Sequence, residues 1–315
     1  MPANVRNHMT TEKTQPGNRR SENKPGKSGF GKKRTEPDLS FERALASGRA
    51  DAREGKSASA AETAAINADQ AADIVIGVDE VGRGSLAGPV MLGACAIGRE
   101  MIFSKEKIAE GIADSKLLTE RRREELFEIL KQRVPAYAVG QSDNREIDNM
   151  GISHCMGLAA LRALAEVEKI LIEKNLLPAP GSVFESGGCC ESASSCESVV
   201  KFVRKPVIAV ILDGPTDYIS PVQMQLDVPE MPYPVRVYTR VKADMTCASV
   251  ASASVIAKVT RDRHMVSLAG SSPRFEPYQW QKNKGYGSAA HREAIAKYGP
   301  CEYHRKSWNL RRSKR

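Results

Sequence analysis

The chain has 315 residues, with 47 Lys and Arg against 38 Asp and Glu, a formal charge of +9 and a pI near 9.2. Hydrophobic residues make up 41% of it, enough for a core, and no run approaches the roughly 18 apolar residues of a membrane helix. These values argue against a membrane-spanning helix and favour a soluble protein with a polyanionic partner, because Lys and Arg displace counterions condensed on phosphate backbones.

Residues 1–70 are rich in Lys, Arg, Ser, Gly and Ala and are expected to form a disordered tail, since burial there cannot offset the cost of ordering the chain. Nine basic residues against two acidic ones in 1–35 make that tail basic, suited to a solvated extension or to a nonspecific nucleic-acid arm. From Ile74 the texture changes. The short β-branched run Ile74–Val78 predicts a buried strand, and Val90–Ile97, after a Gly/Pro-punctuated stretch, predicts an antiparallel neighbour. Asp114–Arg133 reads as a helix with Thr119 as its N-cap, followed by a strand at Ala136–Val139. Leu158, Leu161, Leu164, Val167, Ile170 and Leu171 recur at spacings of three and four, one face of a long helix over 153–175.

Residues 178–204 carry paired Pro, several Gly and a Ser/Cys-rich stretch, and are expected to be a surface loop insertion. Strands follow at Val207–Leu212 and Val235–Val241, then a helix over Met245–Val266 whose small-residue face (Ser249, Ser252, Ala253, Ala257) permits close packing. Strands alternating with helices predict an α/β fold, a mixed central sheet flanked by helices. The seven Cys, at 95, 155, 189, 190, 196, 247 and 301, are odd in number and follow no apolar leader, so a secreted disulfide framework is disfavoured. Cys189, Cys190 and Cys196 lack the His or second CxxC of a zinc set; all seven are read as reduced thiols of a cytoplasmic protein.

Three predicted strands end at acids: Asp79 and Glu80 after the first, Asp213 after the one at 207–212, and Asp244 just beyond the last. Ligands of α/β sheets gather beyond strand ends, so these carboxylates can converge, and an all-oxygen anionic cluster selects magnesium or manganese over zinc. Each Asp taken singly is as easily a turn or helix cap. Three strand ends beside the Gly82-Arg83-Gly84 turn, whose glycines let a backbone approach a ligand, favour a site.

The segment Gly77-Val-Asp-Glu-Val-Gly-Arg-Gly-Ser-Leu-Ala-Gly-Pro89 resembles the first signature of the ribonuclease HII (type 2 ribonuclease H) family. Asp114-Ser-Lys-Leu-Leu-Thr119, Lys242-Ala-Asp244, Ser252 to Asp262, Asn283-Lys-Gly-Tyr-Gly-Ser288, His291 and Gly299 to Ser307 are similar to the blocks that follow it, over about Ile74 to Trp308. The resemblance implies a ribonuclease H-like fold with a C-terminal helical part over 71–310, leaving a basic tail at 311–315. It implies a catalytic and metal-binding set of Asp79, Glu80, Asp213 and Asp244 holding two divalent ions, magnesium or manganese. Substrate contacts fall on Gly82, Arg83, Gly84, Tyr286 and Lys116, with the turn and the tyrosine reading the ribose 2′-hydroxyl.

The implied activity is endonucleolytic hydrolysis of the RNA strand of RNA–DNA hybrids and incision 5′ of single ribonucleotides in duplex DNA, serving replication and repair. The expected partners are such nucleic acids, with no membrane, and the chain is expected to act as a monomer. Ser85 stands where the family often has Pro, Ser252 and Ser254 vary the small-residue block, and Asp213-Gly-Pro-Thr replaces DGN; the serines are expected not to touch the chemistry. His154, His264, His291 and His304 are read as structural or phosphate-adjacent residues. Two other classes stand beside this reading: a non-catalytic duplex-binding protein, and another nuclease or strand-transfer enzyme on the same fold.

Overall fold

The computed structural model describes residues 36–49, 71–181 and 204–310. In chain order the elements are α1 (Ser40–Ala46), β1 (Ile74–Val81), β2 (Val90–Gly98), α2 (Arg99–Phe103), α3 (Glu120–Arg133), β3 (Ala136–Ser142), α4 (Asn144–Met150), α5 (Ile152–Glu173), β4 (Ile208–Asp213), α6 (Ser220–Gln223), β5 (Val235–Arg240), α7 (Ala243–Thr246), α8 (Ala248–Gly270), α9 (Trp280–Asn283) and α10 (Ala289–Tyr298). The sheet order is β3-β2-β1-β4-β5. The pairs β1–β2 and β2–β3 are antiparallel, β1–β4 and β4–β5 parallel, which makes the sheet mixed as expected.

Strands β1, β2 and β4 are near-continuous apolar runs because both of their faces are covered. One face, carrying Ile76, Val78, Leu92 and Val210, packs with Leu158, Leu161, Leu164 and Val167 of α5. The other, carrying Val75, Ile97 and Ile211, packs with α8, α3 and α1. Small residues set how close these layers come. A Cβ on Gly77 would stand 2.2 Å from the Ser249 carbonyl carbon of α8, and one on Gly140 would stand 2.0 Å from the Ala159 carbonyl oxygen of α5. A third cluster joins Leu86 and Ala87 to Met265, Phe275, Trp280 and Ile295, docking the C-terminal helical part on the far end of α8.

Several boundaries move. Thr119 does cap a helix, its hydroxyl accepting from the Arg122 N–H, but that helix begins at Glu120, and Ser115–Leu117 forms a separate 3₁₀ turn started by Asp114. The helix expected over Met245–Val266 starts at Ala248 and runs to Gly270, with Met245 in the short turn before it.

The expectation of a tail over residues 1–70 is corrected at its centre. Leu39, Phe41, Leu45 and Ala46 are buried against the α8 face, and the Glu42 carboxylate accepts from the N–H and hydroxyl of Ser249 at 3.0 and 2.8 Å. Glu42 thus closes the first turn of α8, and burial, which outweighs these bonds, raises its pKa. Averaging over Lys- and Ser-rich flanks hid this seven-residue amphipathic helix. Residues 1–35, 50–70 and 311–315, and the centre of the expected surface loop with Cys189, Cys190 and Cys196, lie outside the described residues. The other four cysteines are free, and burial pushes the thiols of Cys95 and Cys247 up to about 12. Among the described residues no helix is long and apolar enough to cross a membrane.

Candidate active site

The parallel ladder between β1 and β4 runs from Ile74 beside Ile208 to Val78 beside Leu212, so its next rung brings Asp79 beside Asp213 on strands about 4.8 Å apart. Alternation places both on the face covered by α8, in register with Val75 and Ile211. Asp213 then reaches beyond its strand: its Oδ1 accepts from the Ala243 N–H at 2.7 Å, which ties the end of β4 to the short helix carrying Asp244. Glu80, on the alternate parity near the end of β1, has Arg83 3.6 Å away. The four acids therefore share one end of the sheet.

Their electrostatics record that crowding. Burial, with Glu80 and Asp213 adding to it, pushes the Asp79 carboxyl up to about 8. Burial and then Asp213 and Asp114 push Asp244 up to about 6. Glu80 is raised as well, by burial first, with Arg83 acting against it. Burial works against the charged form of Lys116, yet Asp79, Asp114, Asp244 and Glu80 together outweigh it and raise its pKa. Lys116 therefore stands beside the cluster.

Three contributors were missed in the sequence. Asp114, which starts the 3₁₀ turn by accepting the Lys116 N–H at 2.9 Å, is a fifth acid in the field of Asp244. Ser254 corrects the expectation that the serines stay clear of the chemistry: it stands close enough to Asp79 to work against the rise of that carboxyl's pKa, while its hydroxyl donates to Ser115 at 2.9 Å. The Tyr218 hydroxyl is buried beside Glu80, Asp79 and Asp213, and burial, with those acids, raises it well above the usual range. The serine and Asp114 lay inside quoted motif blocks; Tyr218 carried no sequence signal.

The donor set fits hard divalent cations: it is all oxygen, largely buried and short of internal positive charge. Among the described residues no three acidic, His or Cys side chains stand already closed around a cation position, so a bound ion would draw the carboxylates together.

Beside the acids lies a second structure. The Gly82 N–H donates to the Tyr286 hydroxyl at 3.1 Å, and Ser85 and Tyr286 form an isolated antiparallel bridge, joining segments some two hundred residues apart. Gly82 is required by the fold, because its φ is +84° and a Cβ would fall 2.1 Å from Arg261 Nε. Gly84 is not: its φ is ordinary and a Cβ would meet nothing within 4 Å. A glycine with no internal need, on the exposed side of a turn, leaves its backbone open to close approach from outside. Tyr286 is half-buried, with the guanidinium carbon of Arg261 5.2 Å and Lys258 Nζ 5.8 Å from its ring centre.

Two fully buried arginines hold this structure. Arg261 donates to Pro89 O at 3.0 Å, Lys284 O at 3.0 Å, Ala87 O at 3.3 Å and the Ser85 hydroxyl at 2.8 Å, so the Ser85 departure supplies an acceptor. Arg305 donates to carbonyls of Gly82, Arg83 and Gly88. Behind them His291 Nδ1 meets Tyr286 O at 2.9 Å, and His291 Nε2 meets His304 Nε2 at 3.1 Å. Both rings are buried and held below their usual pKa, His304 at about 4, so the pair is neutral scaffolding.

A family profile described as Ribonuclease HII matches residues 76–180 and 203–311. The chain belongs to the ribonuclease HII family. It is 38% identical over 243 residues to a ribonuclease HII of Streptomyces griseus, covering 77% of this chain and 80% of the relative. To a ribonuclease HII of Zymomonas mobilis it is 34% identical, covering 76% of this chain and 86% of the relative. Its fold is similar to the crystal structure of ribonuclease H2 from Pyrococcus horikoshii OT3, with a TM-score of 0.51, 24% identity and coverage of 76% of this chain and 95% of that one. It is likewise similar to Bst-RNase HIII in complex with Mn²⁺, with a TM-score of 0.52, 22% identity and coverage of 77% and 70%. Membership of the ribonuclease HII family makes the chain a ribonuclease H, and the fold is ribonuclease H-like, a mixed sheet between helices.

Proposed function

We propose that the chain is a divalent-metal-dependent endoribonuclease that hydrolyses the RNA strand of RNA–DNA hybrids and incises 5′ of a lone ribonucleotide in duplex DNA. The observation that supports this reading is the bond from Gly82 N–H to the Tyr286 hydroxyl, which joins the turn that follows Glu80 to the tyrosine proposed to read the sugar. Asp79, Glu80, Asp213 and Asp244 are the residues that would hold the metal. Two divalent cations, when bound, supply Lewis acidity for the attacking water and for the departing 3′ oxygen.

The chain's own groups do the rest. Asp213, anchored on Ala243, ties the two sides of the cluster together, and Ser254 of α8 favours the charged form of Asp79. Arg83 and Lys116 offer positive charge at the rim, suited to the phosphates flanking the scissile bond. Water attacks phosphorus, the bond to the 3′ oxygen breaks, and the products are a 3′-hydroxyl and a 5′-phosphate. Such incision fits ribonucleotide removal during replication and repair, in the cytoplasm and by a monomer.

The test is incubation with a duplex holding one ribonucleotide and with a long hybrid, each with Mg²⁺, with Mn²⁺ or with chelator. Cation-dependent incision 5′ of the ribonucleotide, leaving ligatable 3′-hydroxyl and 5′-phosphate ends, is expected. Cutting that survives chelation, or products with 2′,3′-cyclic ends, would overturn the mechanism.

A further inference from the structure

Arg305 lies over two hundred residues from the Gly82-Arg83-Gly84 turn in sequence and is fully buried beneath it. Its Nη2 donates to Gly82 O at 2.7 Å and Gly88 O at 3.1 Å, its Nη1 to Arg83 O at 2.8 Å and its Nε to Gly88 O at 3.2 Å. Every one of these bonds goes to a main-chain carbonyl of one loop. Among the described residues Arg305 forms no ion pair with a carboxylate, so its planar fork is spent on loop geometry.

The direction of those carbonyls decides what the turn presents. No peptide of the described chain is cis, and in a trans peptide C=O and N–H point opposite ways. With Gly82 O and Arg83 O drawn inward onto the guanidinium, the amides of the following residues, Arg83 N–H and Gly84 N–H, face outward. Both residues are exposed, and nothing lies over Gly84. The Tyr286 hydroxyl, already accepting from Gly82 N–H, keeps its own proton to donate. A buried positive charge at the carbonyl end of these peptides also polarises them and strengthens their outward N–H groups as donors.

We propose that Arg305 is a specificity-determining positioning residue: by holding the carbonyls of Gly82 and Arg83 it turns two amides outward into a donor surface for the ribose 2′-hydroxyl. This rests on the ribonuclease reading above and deepens it, since Arg305 itself touches neither substrate nor metal. A surface built to bond a hydroxyl discriminates strongly against a sugar lacking it, because the donors are then left without a partner. Arg261 braces the facing loop through Lys284 O and the far end of this one through Ala87 O, but holds neither carbonyl of the turn's two outward amides.

The test is steady-state cleavage of a single-ribonucleotide duplex in Mg²⁺, with the same duplex made entirely of deoxyribonucleotides as competitive inhibitor. Arg305→Lys replaces the planar fork with a single amine. Its KM for the ribonucleotide duplex is expected to rise at least about tenfold towards the inhibitor's Ki, while Ki changes less than about twofold. Gly84→Ala, which covers the outward amides without touching the interior, is expected to erase the same preference with an unchanged Tm and serves alone if Arg305→Lys does not fold. A parallel rise of KM and Ki in folded Arg305→Lys would mean a merely structural role and overturn the proposal, as would a preference kept in either folded variant. A wild type that cuts the ribonucleotide duplex but binds both duplexes equally would also overturn it. A wild type that cuts neither the duplex nor a hybrid would instead refute the ribonuclease reading itself.

Discussion

Two neighbouring regions bury like charges and resolve the problem in opposite ways. At the sheet end, Asp79, Glu80 and Asp244 are pushed up in pKa by burial and by neighbouring acids, with Lys116 and Arg83 acting against the rise. Under the loops, Arg261 and Arg305 are just as buried and face each other's charge, yet their fork donors are taken by carbonyls and a serine hydroxyl. Backbone dipoles satisfy the cations from within the chain, whereas the carboxylates have few internal donors. One region is complete as folded; the other is arranged for completion by charge from outside. The proposed roles of the two regions, a catalytic cluster and a rigid recognition frame, would need that difference, since the first must exchange ligands and the second must keep its shape.

The largest expected effect falls on the incomplete region. Asp79→Asn or Asp213→Asn should fold normally and lose at least about 10²–10³ in single-turnover cleavage, the range seen when one group of a preorganised electrostatic site is removed. Circular dichroism and single-turnover rates at equal protein concentration check this. Near-wild-type turnover in either variant would erase the contrast between the regions.

Titration without divalent cations should separate them further. Asp79 at about 8 and Asp244 at about 6 lie above the 3.8 of an ordinary Asp, so between those values the folded chain keeps protons that the unfolded chain has released. Stability from this region is therefore greatest at low pH and falls as pH rises through 6 and then 8. His304, held at about 4 against 6.5, acts in reverse: its contribution is full above 6.5 and falls as pH drops towards 4. Thermal melts from pH 5 to 9 should show the alkaline loss, and Mg²⁺ or Asp79→Asn should reduce it. An alkaline slope indifferent to both would mean these carboxylates do not carry it.

A smaller effect distinguishes two glycines of one turn. Gly82→Ala forces a side chain into a left-handed backbone against Arg261 and should cost about 1–3 kcal/mol of stability, read as a lower Tm. Gly84→Ala should leave Tm within about 0.5 kcal/mol of wild type and weaken substrate binding instead. The smallest effect is that of Tyr286→Phe, which removes one hydrogen-bonding oxygen and should cost about 0.5–1.5 kcal/mol in kcat/KM on a single-ribonucleotide duplex. Equal losses on that duplex and on a long hybrid, with a large fall in Tm, would make the ring a core aromatic rather than a reader of the sugar.

Local pattern determined much of this protein. The buried strands, Thr119 as a cap, the long α5 and the small face of α8 were legible because each is set by residues within a few turns of one another. The convergence of Asp79, Asp213 and Asp244 was legible as an expectation, since acids at successive strand ends of an α/β sheet face one edge. What local pattern could not carry are effects that need two distant segments at once. Residues 39–46 read as tail until α8 supplied a face for Phe41 and a capped amide for Glu42. Ser254 read as a bystander until helix packing brought it beside Asp79. Arg261 and Arg305 read only as members of motif blocks, because an arginine's role depends on which carbonyls stand within reach of its fork, and those lie some two hundred residues away. Chain proximity decides periodicity, caps and turns; only the folded interior decides where a buried charge finds its partner.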